Sequence, residues 1–404
     1  MSKISRNLCI ALAASATLAG CAFGPAPPLR PAPVPPRDDR VGYLTPRYEE
    51  NVSSYATLYG RVAVGYTRTA EQACREASCG LDTEKVRHSN QRTRSYLGVR
   101  GTETLSGGWA AHFRLESTLW PADGGTSKDS GELKPDQHRG VSFDGGSTVG
   151  LSEREFGRID LGRRDQPAWR IALAADPWAD SSVGSPGSRL YLPAGGTRTP
   201  GSITYGWNAL QEWLVEVQAG HRWCNGNISS VEPGAQPMPA RSGCEPAREF
   251  GAGVRYARGP WFAGLGWQRW GDSSYAVPVA VNYDAGGFKL YAGATKGRSP
   301  VVSDPQAPEG APITAYTSVF VGATVPVMDK GDPLRQQWTV GLSSFNPAGL
   351  PGDLKFGLGW RYRFSQRTSF HIDAAVVRSS GGARREGLEI GFVHAFGRDL
   401  RYPL

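Results

Sequence analysis

Few side chains in this sequence are spaced for catalysis. His371 and Asp373 come nearest, because alternate residues of a strand share a face and these two lie two positions apart. The sequence has no Gly-x-Ser-x-Gly nucleophile turn between a strand and a helix, and no Gly-x-x-x-x-Gly-Lys phosphate loop. We therefore expect neither an enzyme active site nor a cofactor.

Arginine supplies most of the remaining chemistry. The chain has 45 basic and 37 acidic residues, which gives a net charge of +8. The basic residues are scattered and do not form the compact basic patch of a nucleic-acid-binding module, so no nucleic acid partner is expected. Several of them share one face of predicted strands, namely Arg61, Arg94, Arg100, Arg114 and Arg158.

The elements that carry these residues follow a two-residue period. In segment 354–364, large apolar residues such as Phe356 and Trp360 alternate with Lys355, glycines and arginines. This alternation indicates a strand with one apolar face. For a single strand, that face could pack in a soluble sandwich or against lipid.

The pattern repeats along the whole chain and predicts sixteen strands. They lie near 55–67, 93–102, 108–119, 139–152, 156–163, 200–207, 211–223, 248–257, 261–270, 277–284, 288–297, 314–325, 336–345, 354–363, 368–379 and 385–396. Short connections such as 258–260 alternate with long ones such as 164–199, as they do in outer-membrane β-barrels. The fold class is therefore predicted to be all-β, a sixteen-stranded antiparallel transmembrane barrel with an aqueous lumen.

Composition agrees with a barrel. Apolar residues make up 39% of the 404 positions, there are 52 glycines, and the mean hydropathy is −0.38. A helical membrane protein would need several runs of about 20 apolar residues. A barrel has low mean hydropathy because half of each strand faces water.

The N-terminus has the features of an export signal. Lys3 and Arg6 precede a short apolar stretch that ends at Leu18-Ala19-Gly20-Cys21. We predict a lipoprotein-type signal peptide over 1–20 with lipidation at Cys21; the alternative is ordinary cleavage after Ala22. A proline-rich periplasmic linker over 21–53 precedes the barrel at 54–396, and 397–404 form a short tail.

Four further cysteines fall into two predicted loops, Cys74 with Cys79 and Cys224 with Cys244. An exported protein enters an oxidising compartment, so two disulfides are expected. Four cysteines allow three connectivities. We favour 74–79 and 224–244, because separate loops need not be neighbours. No metal site is expected, because no Cys-x2-Cys pair has histidines at zinc spacing.

Four segments in order resemble the motifs of Gram-negative general porins of the trimeric β-proteobacterial type. Residues 54–60 resemble the opening strand of that family, and 97–108 its second hairpin. Residues 156–163 resemble its Phe-Gly-x-x-x-Leu-Gly-Arg strand, and 391–396 its closing strand. The resemblance implies a homotrimer of outer-membrane barrels that contacts outer-membrane lipids and lets ions and small hydrophilic solutes diffuse.

The resemblance also implies where the pore narrows. The third long loop, 164–199, would fold inward and face a basic wall. Arg163 matches the family's wall arginine and Arg61 a basic position on the first strand, while Tyr96 stands where relatives often have arginine. The predicted pore-lining set is Arg61, Arg94, Tyr96, Arg100, Arg158 and Arg163 on the wall, with Asp176 and Asp180 on the loop.

Arginine stays charged in a wet lumen, so weak anion selectivity is expected. The alternatives are a substrate-specific channel and a structural or adhesive barrel lipoprotein.

Overall fold

The computed structural model describes residues 54–75, 78–88, 95–119, 121, 143–179, 182–187, 190–191, 197–208, 212–222, 247–271, 273–300, 313–327 and 335–397. The predicted signal peptide, the linker and the tail after Gly397 lie outside these residues. So do Cys21, Arg94, Asp180, Cys224 and Cys244.

Seventeen antiparallel strands make up one sheet in the described part of the chain. They are β1 (Tyr55–Arg75), β2 (Ser78–His88), β3 (Ser95–Thr104), β4 (Ala110–Leu119), β5 (Ser147–Glu153), β6 (Gly157–Asp165), β7 (Arg198–Trp207), β8 (Trp213–Arg222), β9 (Ala247–Arg258), β10 (Trp261–Trp270), β11 (Ser274–Asp284), β12 (Lys289–Pro300), β13 (Ile313–Val327), β14 (Gln336–Pro347), β15 (Asp353–Arg363), β16 (Thr368–Ser379) and β17 (Arg384–Phe396). A 3-10 turn covers Ser106–Gly108, and one α-helix, α1, covers Pro167–Ala174.

Sixteen of these strands close a barrel. From β3 to β17 each strand pairs with the next, β17 returns to β1, and β1 pairs with β3. The sixteen-stranded antiparallel barrel predicted from the sequence is therefore confirmed, and each predicted strand has its counterpart.

Two strands differ from the prediction in extent. β1 continues to Arg75, and β2 lies in what was predicted as loop 68–92, because residues 66–75 of β1 pair with β2. β5 begins at Ser147 rather than near 139. Gly145 and Gly146 immediately precede this strand, and the Gly145 N–H donates to the carbonyl of Glu116 over 2.9 Å. Glycine pairs weaken strand formation because they carry no side chain to pack.

The two faces of the sheet differ in chemistry. On β1, Leu58 is 56% exposed while its neighbour Tyr59 is fully buried. On β15, Leu354 and Phe356 are exposed while Lys355 is buried. The exposed apolar residues form an outer face suited to lipid, and the glycine and polar residues form an inner face. Within the described ranges no helix has the length and apolar character to cross a bilayer.

Helix α1 lies in the connection between β6 and β7 (residues 166–197), called here the long loop. Pro167 occupies its first turn, where the missing N–H costs nothing. The helix packs on the inner face of β9–β11. At Gly266 of β10, a Cβ atom would lie 2.7 Å from the Cα of Ala168. Glycine there lets the helix backbone approach the wall.

Candidate functional site

The long loop also contacts the inner face of β15–β17. The Trp178 indole Nε1–H donates to Asp373 Oδ1 of β16 over 2.9 Å, and the backbone N–H of Val183 donates to Glu389 Oε2 of β17 over 3.1 Å. Lys355 of β15 donates from its ammonium group to the carbonyl of Ser185. Three strands thus hold this part of the loop.

Apolar packing supplies a second attachment. Buried residues of the loop and of the wall pack into two clusters. One contains Ile171, Ala175, Trp178, Leu190, Phe262, Ala280, Tyr291 and Phe320; the other contains Ala168, Trp169, Ala172, Tyr191, Trp270 and Ala276. The Tyr191 hydroxyl donates to Gln166 Oε1 over 2.9 Å, and burial raises its pKa well above the ordinary value. Tyr191 therefore stays neutral.

Asp176 lies within the loop. Its side chain is buried and accepts hydrogen bonds from the backbone N–H of Trp178, at 2.9 Å, and from Ser185 Oγ, at 2.5 Å. The sequence prediction had placed Asp176 at the pore surface. This geometry supports a different role, because a carboxylate with these partners fixes the turn that carries Trp178.

His371 and Asp373 share the inner face, as their spacing predicts. Nε2 of His371 is 3.9 Å from Asp373 Oδ2 and 3.6 Å from Glu389 Oε1. All three side chains are buried, and Trp178 and Val183 cover the two carboxylates. Among the described residues no group of three histidine, cysteine, aspartate or glutamate side chains is placed to hold a metal ion.

A cavity on the inner face beside β3–β8 is lined by three of the six predicted wall residues. The arginines that line it are Arg100, Arg114, Arg158, Arg163, Arg164 and Arg170. The structure thus brings together Arg100, Arg158 and Arg163 from the predicted set. It adds Arg164 from β6 and Arg170 from α1.

A backbone irregularity at Gly162 places two consecutive arginines here. Gly162 has φ +122°, and the pairing of β6 with β7 shifts between Gly162 and Arg164. Regular alternation after the exposed Leu161 would turn Arg163 outward, but Arg163 lines the cavity and donates from Nε to the carbonyl of Asp144 over 2.9 Å. A bulge re-aims side chains in this way.

Buried carboxylates hold the arginines in place. Glu216 pairs with Arg164 at 3.1 Å, with Arg170 at 2.5 Å and with Arg255. Asp160 pairs with Arg158 at 2.7 Å and with Arg164. Because each acid is shared between arginines, the wall keeps a positive excess.

His112 belongs to the same wall. Its Nε2 is 2.8 Å from Asp160 Oδ1, and both side chains are buried. His112 lies two positions from Arg114 on the inner face of β4, and no sequence pattern indicated its pairing with Asp160.

Tyr59 links the first strands of the wall. Its hydroxyl donates to Glu116 Oε2 over 3.1 Å and accepts from Arg114 Nε at 2.9 Å, while the Arg100 Cζ lies 5.3 Å from its ring centroid. Tyr96 meets Tyr59 edge to face, with ring centroids 6.0 Å apart, and stands opposite Arg61 in the strand register. Both Tyr96 and Arg61 are half-buried on the inner face.

The predicted disulfide partners Cys74 and Cys79 are described by their backbone. They face each other across the β1–β2 pair. Directly opposed residues of antiparallel strands have Cα atoms about 4.5 to 5.5 Å apart, which is within the range of a disulfide.

A closed sixteen-stranded barrel with an apolar outer face and a charged inner face defines an outer-membrane β-barrel of the porin class. The chain belongs to the Gram-negative porin family, whose model matches residues 10–382.

The chain is similar to two curated porins. It is 31% identical to outer membrane porin protein 32 of Delftia acidovorans over 131 residues, 32% of each chain. It is 29% identical to an outer membrane porin protein of Bordetella pertussis over 130 residues, 30% of this chain and 31% of that one. It thus matches about a third of the length of these relatives.

Solved structures with the same fold cover far more of the chain. An anion-selective porin from Comamonas acidovorans has a TM-score of 0.62 at 20% identity and covers 85% of this chain and 100% of its own. A Salmonella typhi OmpF complex with daunomycin has a TM-score of 0.55 at 14% identity, over 84% of this chain and 97% of that one. These identities establish the fold alone.

Proposed function

We propose that the protein forms a water-filled outer-membrane channel for passive diffusion of ions and small hydrophilic solutes, with a preference for anions. The observation that carries this proposal is that the inner wall has two parts, one covered by the long loop and one lined by arginines. The long loop packs on β9–β11 and β15–β17, while the arginine-lined cavity lies beside β3–β8. Solutes then pass between the loop and the arginines of the barrel wall.

Charge explains the preference for anions. Asp373 and Glu389 are buried beneath the loop, and Asp176 is buried within it. The arginines line a cavity, and their guanidinium groups stay charged at all physiological pH values. A cluster of fixed positive charge on the pore wall raises the local anion concentration and selects ions of the opposite sign.

The proposal includes a pore-narrowing role for the loop and a homotrimeric assembly. The contacts of the long loop with the inner wall support the pore-narrowing role. The homotrimeric assembly is proposed from membership of the porin family. One structural neighbour, OmpT of Vibrio cholerae, is a trimer form. Lipidation at Cys21 remains a proposal from the sequence. An enzymatic role is not proposed, because the relatives are porins and the His371–Asp373 pair lies beneath the loop.

The test is a planar bilayer recording of the purified full-length protein. We expect stepwise, long-lived openings in groups of three, and a reversal potential of anion sign in a salt gradient. A structural or adhesive barrel would give no steps under conditions where a known porin conducts. A substrate-specific channel would show its conductance blocked by one solute at low concentration. A cation-signed reversal potential would refute the anion preference.

A further inference from the structure

One carboxylate of the inner wall is shared by side chains from three other elements. Glu216 lies on β8, and its side chain is 2% exposed. It meets Arg164 of β6 at 3.1 Å, Arg170 of α1 at 2.5 Å, and Arg255 of β9. The side chains of Arg170 and Arg255 are each 4% exposed, so these two contacts are made away from bulk water. Glu216 therefore joins the long loop to the barrel wall.

A glycine on the neighbouring strand makes room for this contact. Glu216 stands opposite Gly253 of β9 in the strand register. A Cβ atom at Gly253 would lie 3.0 Å from Cδ1 of Ile171 and 3.2 Å from Cβ of Pro167, which both belong to α1. Because that side chain is missing, the helix can lie against β9. Arg170, next to Ile171 in the helix, then reaches Glu216.

Both oxygens of the Glu216 carboxylate are used. Oε1 meets the Nη2 atoms of Arg164 and Arg170, while Oε2 meets Nη2 of Arg255. Hydrogen bonds between ionised partners are stronger than neutral ones, and a buried ion pair is costly to break. A glutamine amide has one acceptor oxygen and presents N–H groups in place of the other. An amide at this position therefore cannot hold all three arginines.

The charge of Glu216 also affects the solutes that pass. Glu216 lines the arginine cavity together with Arg164 and Arg170. Its negative charge offsets part of the positive charge that an ion meets there, and fixed charges at a narrow section set ion selectivity. One side chain thus acts on the position of α1 and on the charge of the wall.

We propose that Glu216 is a positioning residue of the channel, which holds α1 beside β8 through Arg170 and limits the strength of anion selection. This inference rests on the proposed channel function. The contact differs from the packing on β9–β11 and the bonds to β15–β17, because it joins the loop to the wall that carries the arginines.

The experiment measures reversal potential and single-channel conductance of the full-length protein in planar bilayers. The variants are E216Q, R170Q and the double variant R170Q/E216Q, with E212Q as the matched control. Glu212 precedes β8 at the turn-side end of the barrel, where the short connections lie, and is 4.0 Å from Arg258. Circular dichroism checks the barrel content of each variant.

Selectivity and conductance should respond differently. A unit charge about 8 Å from an ion in water changes the population of that ion about twofold, so E216Q should raise the ratio of anion to cation permeability at least about twofold. R170Q should lower this ratio, and R170Q/E216Q should return it close to the native value, because the two charges cancel. Conductance should change in both single variants, and the double variant should add no further change, because each substitution breaks the same contact. E212Q should match the native protein in both measurements.

An unchanged permeability ratio in folded E216Q, or native conductance in R170Q, would overturn the inference. If E216Q does not fold, R170Q and R170Q/E216Q decide the question, and native conductance in both would overturn it. A native protein that gives no openings, or a reversal potential of cation sign, would instead refute the proposed function before any variant is compared.

Discussion

The indole Nε1 of Trp178 and the carboxylate Oδ1 of Asp373 are 2.9 Å apart, although the two residues are separated by 195 positions in the chain. The bond joins the long loop to strand β16, and both side chains are buried. It is therefore one of the contacts that fix how far the loop stands from the opposite wall.

Replacing Trp178 by phenylalanine should loosen the loop. The ring remains apolar, but Asp373 loses a buried hydrogen-bond donor, which costs about 1 to 3 kcal/mol. We expect W178F to show noisier single-channel currents and a lower melting temperature than the native protein. W207F, at an outward tryptophan 39% exposed, is the control and should behave as native. Quiet, native-like currents in W178F would show that this bond does not hold the loop.

Gly357 of β15 lies directly under the loop. A Cβ atom there would be 2.5 Å from the carbonyl oxygen of Gly184 and 3.0 Å from its Cα, so G357A must push the loop backbone away from the wall. We expect a changed single-channel conductance in G357A with the barrel intact. Gly287 has no atom within 4 Å of its Cβ position, so G287A is the matched control. Identical conductance in the two variants would place the loop outside the conducting path.

Removing an arginine charge from the cavity should weaken anion selectivity. Arg158 is the simplest choice, because its partner Asp160 keeps Arg164 and His112 after the substitution. We expect R158Q to shift the reversal potential in a salt gradient toward the cation sign, and R158Q/R163Q to shift it further. R258Q, at the turn-side end, should leave it unchanged. Equal reversal potentials in all four proteins would exclude this wall from ion selection.

The opposed positions of Cys74 and Cys79 predict a disulfide at the end of the β1–β2 pair. The full-length protein, digested without reductant, should yield the two cysteines in one linked peptide that separates on reduction. The C74S variant should expose Cys79 to maleimide and provides the positive control for labelling. Maleimide labelling of Cys74 or Cys79 in the native protein on intact, unreduced cells would contradict the pairing.

The repeating alternation of the sequence determined the barrel and the face on which each regular strand residue lies. Leu58 and Tyr59, or Leu354 and Lys355, fall on the outer and inner faces as predicted, because a strand has a strict period of two and only one face can meet lipid. The long loop and the inner position of Arg100, Arg114 and Arg158 follow from the same pattern.

Only the tertiary structure decided the composition of the charged wall. Arg163 and Arg164 reach one cavity because Gly162 breaks the alternation, and Arg170 joins them from a helix whose place against β9–β11 no local pattern specifies. Asp176 was expected at the pore, but Ser185 and the Trp178 backbone hold it inside the loop. Period and turn length are local properties of a chain, whereas a bulge, a docked helix and a shared counter-ion depend on residues that meet only when the barrel closes.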